Sequence, residues 1–514
     1  MLNYYFLIIL IIFLLLLFFH EIIHDLWNSS KPKCRIVFCV LLTLLFKYNY
    51  NTFYWGQEYE DAYVYSFCTR QFSYNIYPSN FMIEAISVGS LEEPIITSTY
   101  GGHFITYPVF LSLFTIPFGW SPTIICIANT LVAFFILLIL SIMTKKSEYW
   151  FLPPALYCCS PIINIFTTCF LAEIFSSFIC LIFIYTYFRR ESTYNTMLCL
   201  IAFFVAILCK RENLVLLIIP VITIICYMKV IIRRTSILSK IVKIFPFLLI
   251  VCIYFLFIQN VFDIESVESK DIGMPTFSPQ HFIKQFPVYV KSIFTVKFFS
   301  IIAYMYIMWI IYKCIYKKSF TINKSLSISL SLFLIYLFVY SFHYRGYFYV
   351  KGSDVYPLET FRYINNFIYL IPIAFITFNC KYIKYVQLIF SFLLVFSLFQ
   401  TYTIRNKISI TEYQERFMEA YHVYNYIREK SDNSVLICDD ILIYQNICPD
   451  NFKVCDIKLS ALLNYKDQRI NSFLLFPDLN YLKERYSIDI DLQYLKPVLE
   501  LSNSKYLYQY NCPE

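Results

Sequence analysis

The sequence predicts an all-α polytopic membrane protein with a small α/β domain at its C-terminal end, and three observations carry that class. Of 514 residues, 59% are hydrophobic and only 15% are charged, whereas a soluble domain carries about 25% charged residues; mean hydropathy is +0.59. The apolar residues come in unbroken blocks, such as 4–19 and 326–340, which have the length of bilayer spans. The net charge of +8 sits mostly in short loops between blocks, where it sets topology and does not point to nucleic acid. A soluble enzyme, a disordered chain and a nucleic-acid-binding domain are excluded, and the first partner is the lipid bilayer.

Taken in order, the block at 2–19 has no basic residue before it, while the loop after it carries Lys31, Lys33 and Arg35. The positive-inside rule then places the N-terminus outside. A basic n-region and a small-residue cleavage site are both missing, which argues against a cleaved signal peptide. A second span near 34–50 delivers a long polar loop, 51–104, to the outer face. Segment 105–119 is short for a span and contains Pro108, Pro117 and Gly119, which reads as a helix lying at the outer interface. Spans follow near 122–143, 150–168, 171–188, 195–209, 214–228, 244–260, 298–313, 325–342, 364–379 and 384–401, about twelve in all. With that count the basic loops at 145–146, 189–190, 229–243, 313–324 and 381–384 all fall inside. The acidic and mixed loops 51–104, 261–297 and 343–363 fall outside. The membrane domain is therefore 1–401.

Residues 402–514 form a polar tail. Phe417, Met418, Tyr421, Tyr424 and Ile427 recur at helical spacing across 411–430, and 434–438 reads as a buried strand ending in Asp439-Asp440. This is the signature of a small α/β domain on the outer face. Cys438, Cys448, Cys455 and Cys512 fit one or two disulfides there, or four free thiols. Most of the 18 cysteines lie in apolar runs and read as inert core residues. The 8 glycines have no P-loop or dinucleotide spacing, which argues against an ATP-driven pump.

Four places on the outer face carry chemistry. Glu58, Glu60 and Asp61 put three carboxylates in four residues beside aromatic side chains, with Arg70 following. Their mutual repulsion can raise one pKa and make a general base; a solvated loop explains the same residues. Glu173 is the only acid between Tyr149 and Phe188 and sits where one span turns into the next, either as a functional acid or as a helix-start acid facing the macrodipole. Lys210 and Arg211 lie in a tight hairpin on the side the charge rule disfavours, where an anionic ligand or a local pair with Glu212 would hold them. Arg362 and Tyr363 stand where a span begins, and Arg345 lies in the same loop. A guanidinium there can grip a phosphate with two hydrogen bonds, or simply snorkel. His103 completes the outer-face candidates. Carboxylates beside a ring of Lys and Arg suit attack by a hydroxyl or amine on a carbon that bears a phosphate leaving group.

In the order and sidedness of these motifs the chain resembles the GT-C glycosyltransferases, membrane enzymes of the protein-mannosyltransferase and aminoarabinose-transferase kind that use polyprenyl-phosphate sugars. The resemblance rests on Glu60-Asp61-Ala-Tyr63 with Arg70, on the stretch from Tyr107-Pro108 to Pro117-Phe-Gly119, on Glu173 in the next outer loop, and on Lys210-Arg211 and Arg362-Tyr363. It implies inverting transfer of one sugar from a lipid-phosphate donor to a glycan, lipid or protein acceptor. Asp61 or Glu60 would be the base and Glu173 a second acid. Lys210, Arg211, Arg362 and Tyr363 would face the donor phosphate. A divalent cation, Mg or Mn, is used by only some members. The chain departs from the pattern in having Glu60-Asp61 where many members have two aspartates or Asp-Glu, and in its extra first span.

Three rivals remain in view. His20-Glu21-Ile-Ile-His24 is a complete H-E-x-x-H that could bind zinc in an intramembrane protease. No Asp-Gly element follows to supply the third ligand, and a polar cap on a helix leaving the membrane explains the same residues. A transporter would place its ionisable groups at the midplane on broken helices, where this chain has few. A lipid-linked glycan ligase or polymerase differs chiefly in its diphosphate-carried donor. Neither sequon, at Asn28 and Asn323, falls in an outer loop, which favours a bacterial inner membrane with the site on the extracytoplasmic face.

Overall fold

The computed structural model describes residues 2–49, 65–66, 69–70, 72–73, 82–83, 98–99, 106–143, 150–158, 172–187, 189, 193–221, 237–258, 278–295, 335, 337–338, 341–342, 410–430, 434–438, 444, 453–456, 471–476, 492–501 and 506–510.

The chain starts with α1, Leu2–Trp27, which runs on past the predicted end at Phe19 and carries His20 to His24 in its last turns. Tyr4, Leu7, Ile11, Leu14, Phe18 and Ile22 recur at helical spacing and are buried. The other face is just as apolar but open, with Ile9 66% and Leu16 62% exposed. A soluble helix would be polar there, and an apolar outer face at this length is what lipid contact asks for. The helix α2, Pro32–Asn49, repeats the pattern with Val37, Leu41 and Leu44 exposed. A tight turn at Lys31, in the left-handed region with φ 57°, joins the two.

Next come α3, Thr106–Phe118, and α4, Pro122–Ile142. Ser121 caps α4 by accepting from the Ile124 N–H, and Pro122 starts it where a missing N–H costs nothing. The helix predicted at 105–119 is therefore present, with its first two turns buried and its last turn open, Ile116 and Phe118 being exposed. Every residue from Thr106 to Ser112 is buried between α1, α4 and the later helix α7. Its polar groups are satisfied inside: Tyr4 and Ser112 hydroxyls meet at 3.2 Å, and Tyr107 donates to Asn129 Oδ1 at 3.0 Å.

A short helix, α5, Leu152–Cys158, precedes α6, Glu173–Tyr187, and α7, Thr193–Cys209. All residues of α6 are buried, so it is the axial helix of this part of the bundle. Phe18 meets Phe178 at 5.4 Å, and Tyr185 donates to Asp25, at the same offset of 160 residues. α1 and α6 therefore run parallel and in register. α7 returns antiparallel, with Tyr194 donating to the Leu17 carbonyl and Phe204 at 6.4 Å from Phe6. With so little glycine, rings supply much of the contact between helices. Phe110 stacks on Phe175 at 4.2 Å and Phe183 meets Phe203 at 5.5 Å, each pair contributing about 0.5–1.5 kcal/mol.

At the turn read at 210–213, Lys210 is extended and a 3-10 helix, Arg211–Leu217, follows it. Further on, α8, Ile237–Ile253, continues into a π turn, Tyr254–Ile258. The region read as an outer loop at 261–297 contains α9, Pro279–Thr295, which buries His281, Gln285 and Tyr289 at successive turns.

Short strands β1, Met82–Ile83, and β2, Ser98–Thr99, pair antiparallel. Near the C-terminus, α10, Ile410–Lys430, precedes a five-stranded sheet of order β4-β3-β5-β7-β6. Its strands are β3 Ser434–Cys438, β4 Lys453–Asp456, β5 Asn471–Phe476, β6 Leu495–Glu500 and β7 Tyr506–Tyr510. β3 is parallel to β4 and β5, while β7 is antiparallel to β5 and β6. Val423 and Ile427 of α10 share a separate core with Leu436, Phe473 and Leu507. Cys438 is buried in that core, while Cys448 and Cys512 lie outside the described residues.

Candidate functional site

Two polar clusters mark the two ends of the bundle. The first joins the ends of α1 and α6. Arg189 pairs with Asp25 and lies 3.7 Å from Glu21, which sits one turn before Asp25 on α1. Its Nη1 also donates to the Tyr185 hydroxyl at 2.6 Å, and the guanidinium stacks 4.5 Å from the Tyr185 ring centre. Each residue of the H-E-x-x-H has a neighbour of its own. Glu21 turns to Arg189, His24 bonds Asn28 at 3.1 Å, and the His20 ring lies 5.2 Å from Tyr194. Among the described residues no three His, Cys, Asp or Glu side chains gather to hold a metal ion. Nearby on the same side, buried Arg35 donates to the carbonyls of Ser30 and Ser141 and lies 5.1 Å from the Trp150 ring centre, tying the start of α2 to the end of α4.

The second cluster lies at the opposite end, where α6 begins and α7 ends. Glu173, the first residue of α6, is 1% exposed at its side chain. Its Oε1 accepts from the Lys210 ammonium at 2.8 Å. Lys210 is 18% exposed, so the pair is a buried acid facing a cation that reaches solvent. A lysine carries three donor hydrogens. The sequence suggested each residue separately, and the structure brings them together across 37 residues. Asn213, which sequence reasoning did not single out, is fully buried beside them and donates to Ser176 Oγ at 2.9 Å and to the Ala206 carbonyl at 2.7 Å. The signal was available in hindsight: an Asn that follows Lys-Arg-Glu at the end of an apolar helix.

Arg70 is buried and lies 5.6 Å from the Trp120 ring centre. Its neighbours tie the chain around it to α1 and α3. Ser73 donates to Thr115 Oγ1 at 2.6 Å, Phe72 stacks on Tyr4 at 4.6 Å, and Tyr65 meets Tyr107 at 5.4 Å. Tyr107 in turn lies 6.1 Å from Phe175, two residues into α6 from Glu173. A continuous row of rings thus links Tyr65 to the helix that carries Glu173. Glu58, Glu60, Asp61, His103, Arg345, Arg362 and Tyr363 lie outside the described residues, and of Arg211 the backbone alone is described.

No protein-family model matches the sequence, and no curated protein does. Solved structures do match. The crystal structure of ArnT from Cupriavidus metallidurans bound to undecaprenyl phosphate is 10% identical, with a TM-score of 0.54, over 94% of this chain and 100% of that one. The same protein in its apo state is 11% identical, with a TM-score of 0.56, over 95% of this chain and 100% of that one. At these identities the likeness is one of fold, and it extends over nearly the whole chain.

Proposed function

We propose that the protein is an inverting membrane glycosyltransferase. It moves a single sugar from a polyprenyl-phosphate donor to a glycan, lipid or protein acceptor on the extracytoplasmic face of a bacterial inner membrane. The observation that carries this reading is the fold shared over nearly the whole chain with a structure that holds undecaprenyl phosphate. The Glu173–Lys210 pair supports it by supplying a cation at one end of the bundle, held by a buried acid.

The chemistry is one displacement. An acceptor hydroxyl or amine attacks the anomeric carbon while the bond from that carbon to the phosphate oxygen breaks, inverting the centre. Asp61 or Glu60 takes the acceptor proton, and the lipid phosphate leaves with its charge met by Lys210, Arg211 and Arg362, with Tyr363 beside them. Glu173 keeps Lys210 in place; a Mg or Mn requirement is read from the same assay with and without chelator.

The test uses protein in lipid nanodiscs and a panel of labelled donors, including a diphosphate-linked oligosaccharide. Release of label from a monophosphate-linked sugar is expected, reduced about 10²–10⁴-fold by Asp61→Asn or by Glu60→Gln, whichever residue is the base. Release only from the diphosphate donor would replace this reading with a glycan ligase.

A further inference from the structure

Lys210 stands at an unusual piece of backbone. It is extended, with φ −153° and ψ 130°, and no side chain caps the 3-10 helix of 7 residues that follows. Runs of 3-10 helix beyond three or four residues are uncommon because their hydrogen bonds are poorly aligned. A lysine also loses more rotamer freedom than almost any side chain when it is held in one place. A turn of this kind, left to itself, would not present an ammonium group at a fixed position.

Asn213 supplies what the turn lacks. Its backbone N–H donates to the Lys210 carbonyl at 3.0 Å, closing the first turn. Its side-chain amide spans to both neighbouring helices, giving one hydrogen to Ser176 Oγ on α6 and reaching the Ala206 carbonyl on α7. The Ala206 carbonyl also accepts the Lys210 N–H at 3.2 Å, so a single acceptor on α7 gathers both residues. Ser176 is three residues after Glu173, which puts the two on neighbouring positions of one helix face. Asn213 and Lys210 are thus fastened to the same stretch of α6, one through an amide and the other through an ion pair. An apolar residue could fill this buried site, but it could not fix the turn against two helices at once.

We infer that Asn213 is a positioning residue for the donor phosphate: by pinning the 3-10 turn to Ser176 and Ala206, it holds the Lys210 ammonium where the lipid phosphate binds. The inference rests on the donor chemistry proposed above and assigns it a further residue that touches neither substrate.

Binding of undecaprenyl phosphate to the full-length protein in nanodiscs tests it. Asn213→Ala is expected to weaken binding about tenfold, the loss of roughly one charge-assisted contact. In a Lys210→Ala background the same change should leave affinity unaltered, because Asn213 acts only through Lys210. Equal weakening in both backgrounds would mark a merely structural residue and overturn the inference, as would unchanged binding in the first. Should Asn213→Ala fail to fold, Ser176→Ala removes one of its anchors and is run in the same two backgrounds, with a loss of a few-fold expected in the first alone. If the wild-type protein does not bind undecaprenyl phosphate, the donor reading falls and this role falls with it. Wild-type binding with an indifferent Asn213 removes this role alone.

Discussion

At one end of the bundle Glu21 and Asp25 face Arg189; at the other, Glu173 faces Lys210. Both clusters set buried carboxylate against a cation between two helix ends, yet they are built for different work. The arginine carries a rigid planar guanidinium, whose Nη1 meets Asp25, Glu21 and the Tyr185 hydroxyl while the group stacks on the Tyr185 ring. Two acids, a hydroxyl and an aromatic face gather at it, which makes a joint between α1 and α6. The lysine is a point charge with three donors on a flexible stem, set on a 3-10 turn and, among the described residues, paired with one acid. At 18% exposure against 23% for the arginine, the number of partners and not exposure separates the two. A cation of that kind can take up an anion without first breaking a network. The difference between the ends is the difference between a group used to hold helices and one kept available for a ligand.

That comparison can be broken first at Arg189. Arg189→Ala leaves Asp25 and Glu21 buried without their cation and should cost about 3–5 kcal/mol of stability. The check is thermal unfolding in detergent, with undecaprenyl phosphate affinity of the surviving folded fraction unchanged. Lys210→Ala should show the opposite balance, weakening undecaprenyl phosphate binding about ten- to a hundredfold, as expected for charged hydrogen bonds worth about 1.5–3 kcal/mol. Equal losses of stability and affinity in both variants would erase the distinction drawn between the ends. Tyr185→Phe is the mildest probe: it removes the hydroxyl shared by Arg189 and Asp25 but keeps the ring under the guanidinium. A loss of about 1 kcal/mol is expected, read as a small fall in melting temperature with no change in lipid binding.

The elements that were legible in the sequence have local signals. Ser121-Pro122 announces the start of α4, uninterrupted apolar runs give α1 and α6, and helical spacing from Phe417 to Ile427 gives α10. What stayed hidden depends on partners far along the chain. The H-E-x-x-H looked like a ligand set because its actual counterpart, Arg189, comes more than 160 residues later. The burial of the first two turns of α3 could not be read either, since it depends on hydroxyls matched to α1 and α4. At the candidate site the residue types were readable, and Glu173 and Lys210 were each named. Their pairing was not, because it needs α6 and α7 to return side by side, and Asn213 carried no charge to draw notice.

The partners of the first hairpin have a consequence for how the protein is made. Arg35 waits for Ser141, 106 residues downstream, and Asp25 for Tyr185, 160 residues downstream. At a synthesis rate of about 5–20 residues per second, the end of α1 emerges roughly 8–32 s before the hydroxyl that closes on it. During that interval α1 and α2 sit in the insertion machinery or the bilayer with their polar ends held only by water and by each other. The hairpin is therefore a provisional insertion product, and it becomes a permanent part of the protein only when the later helices arrive beside it.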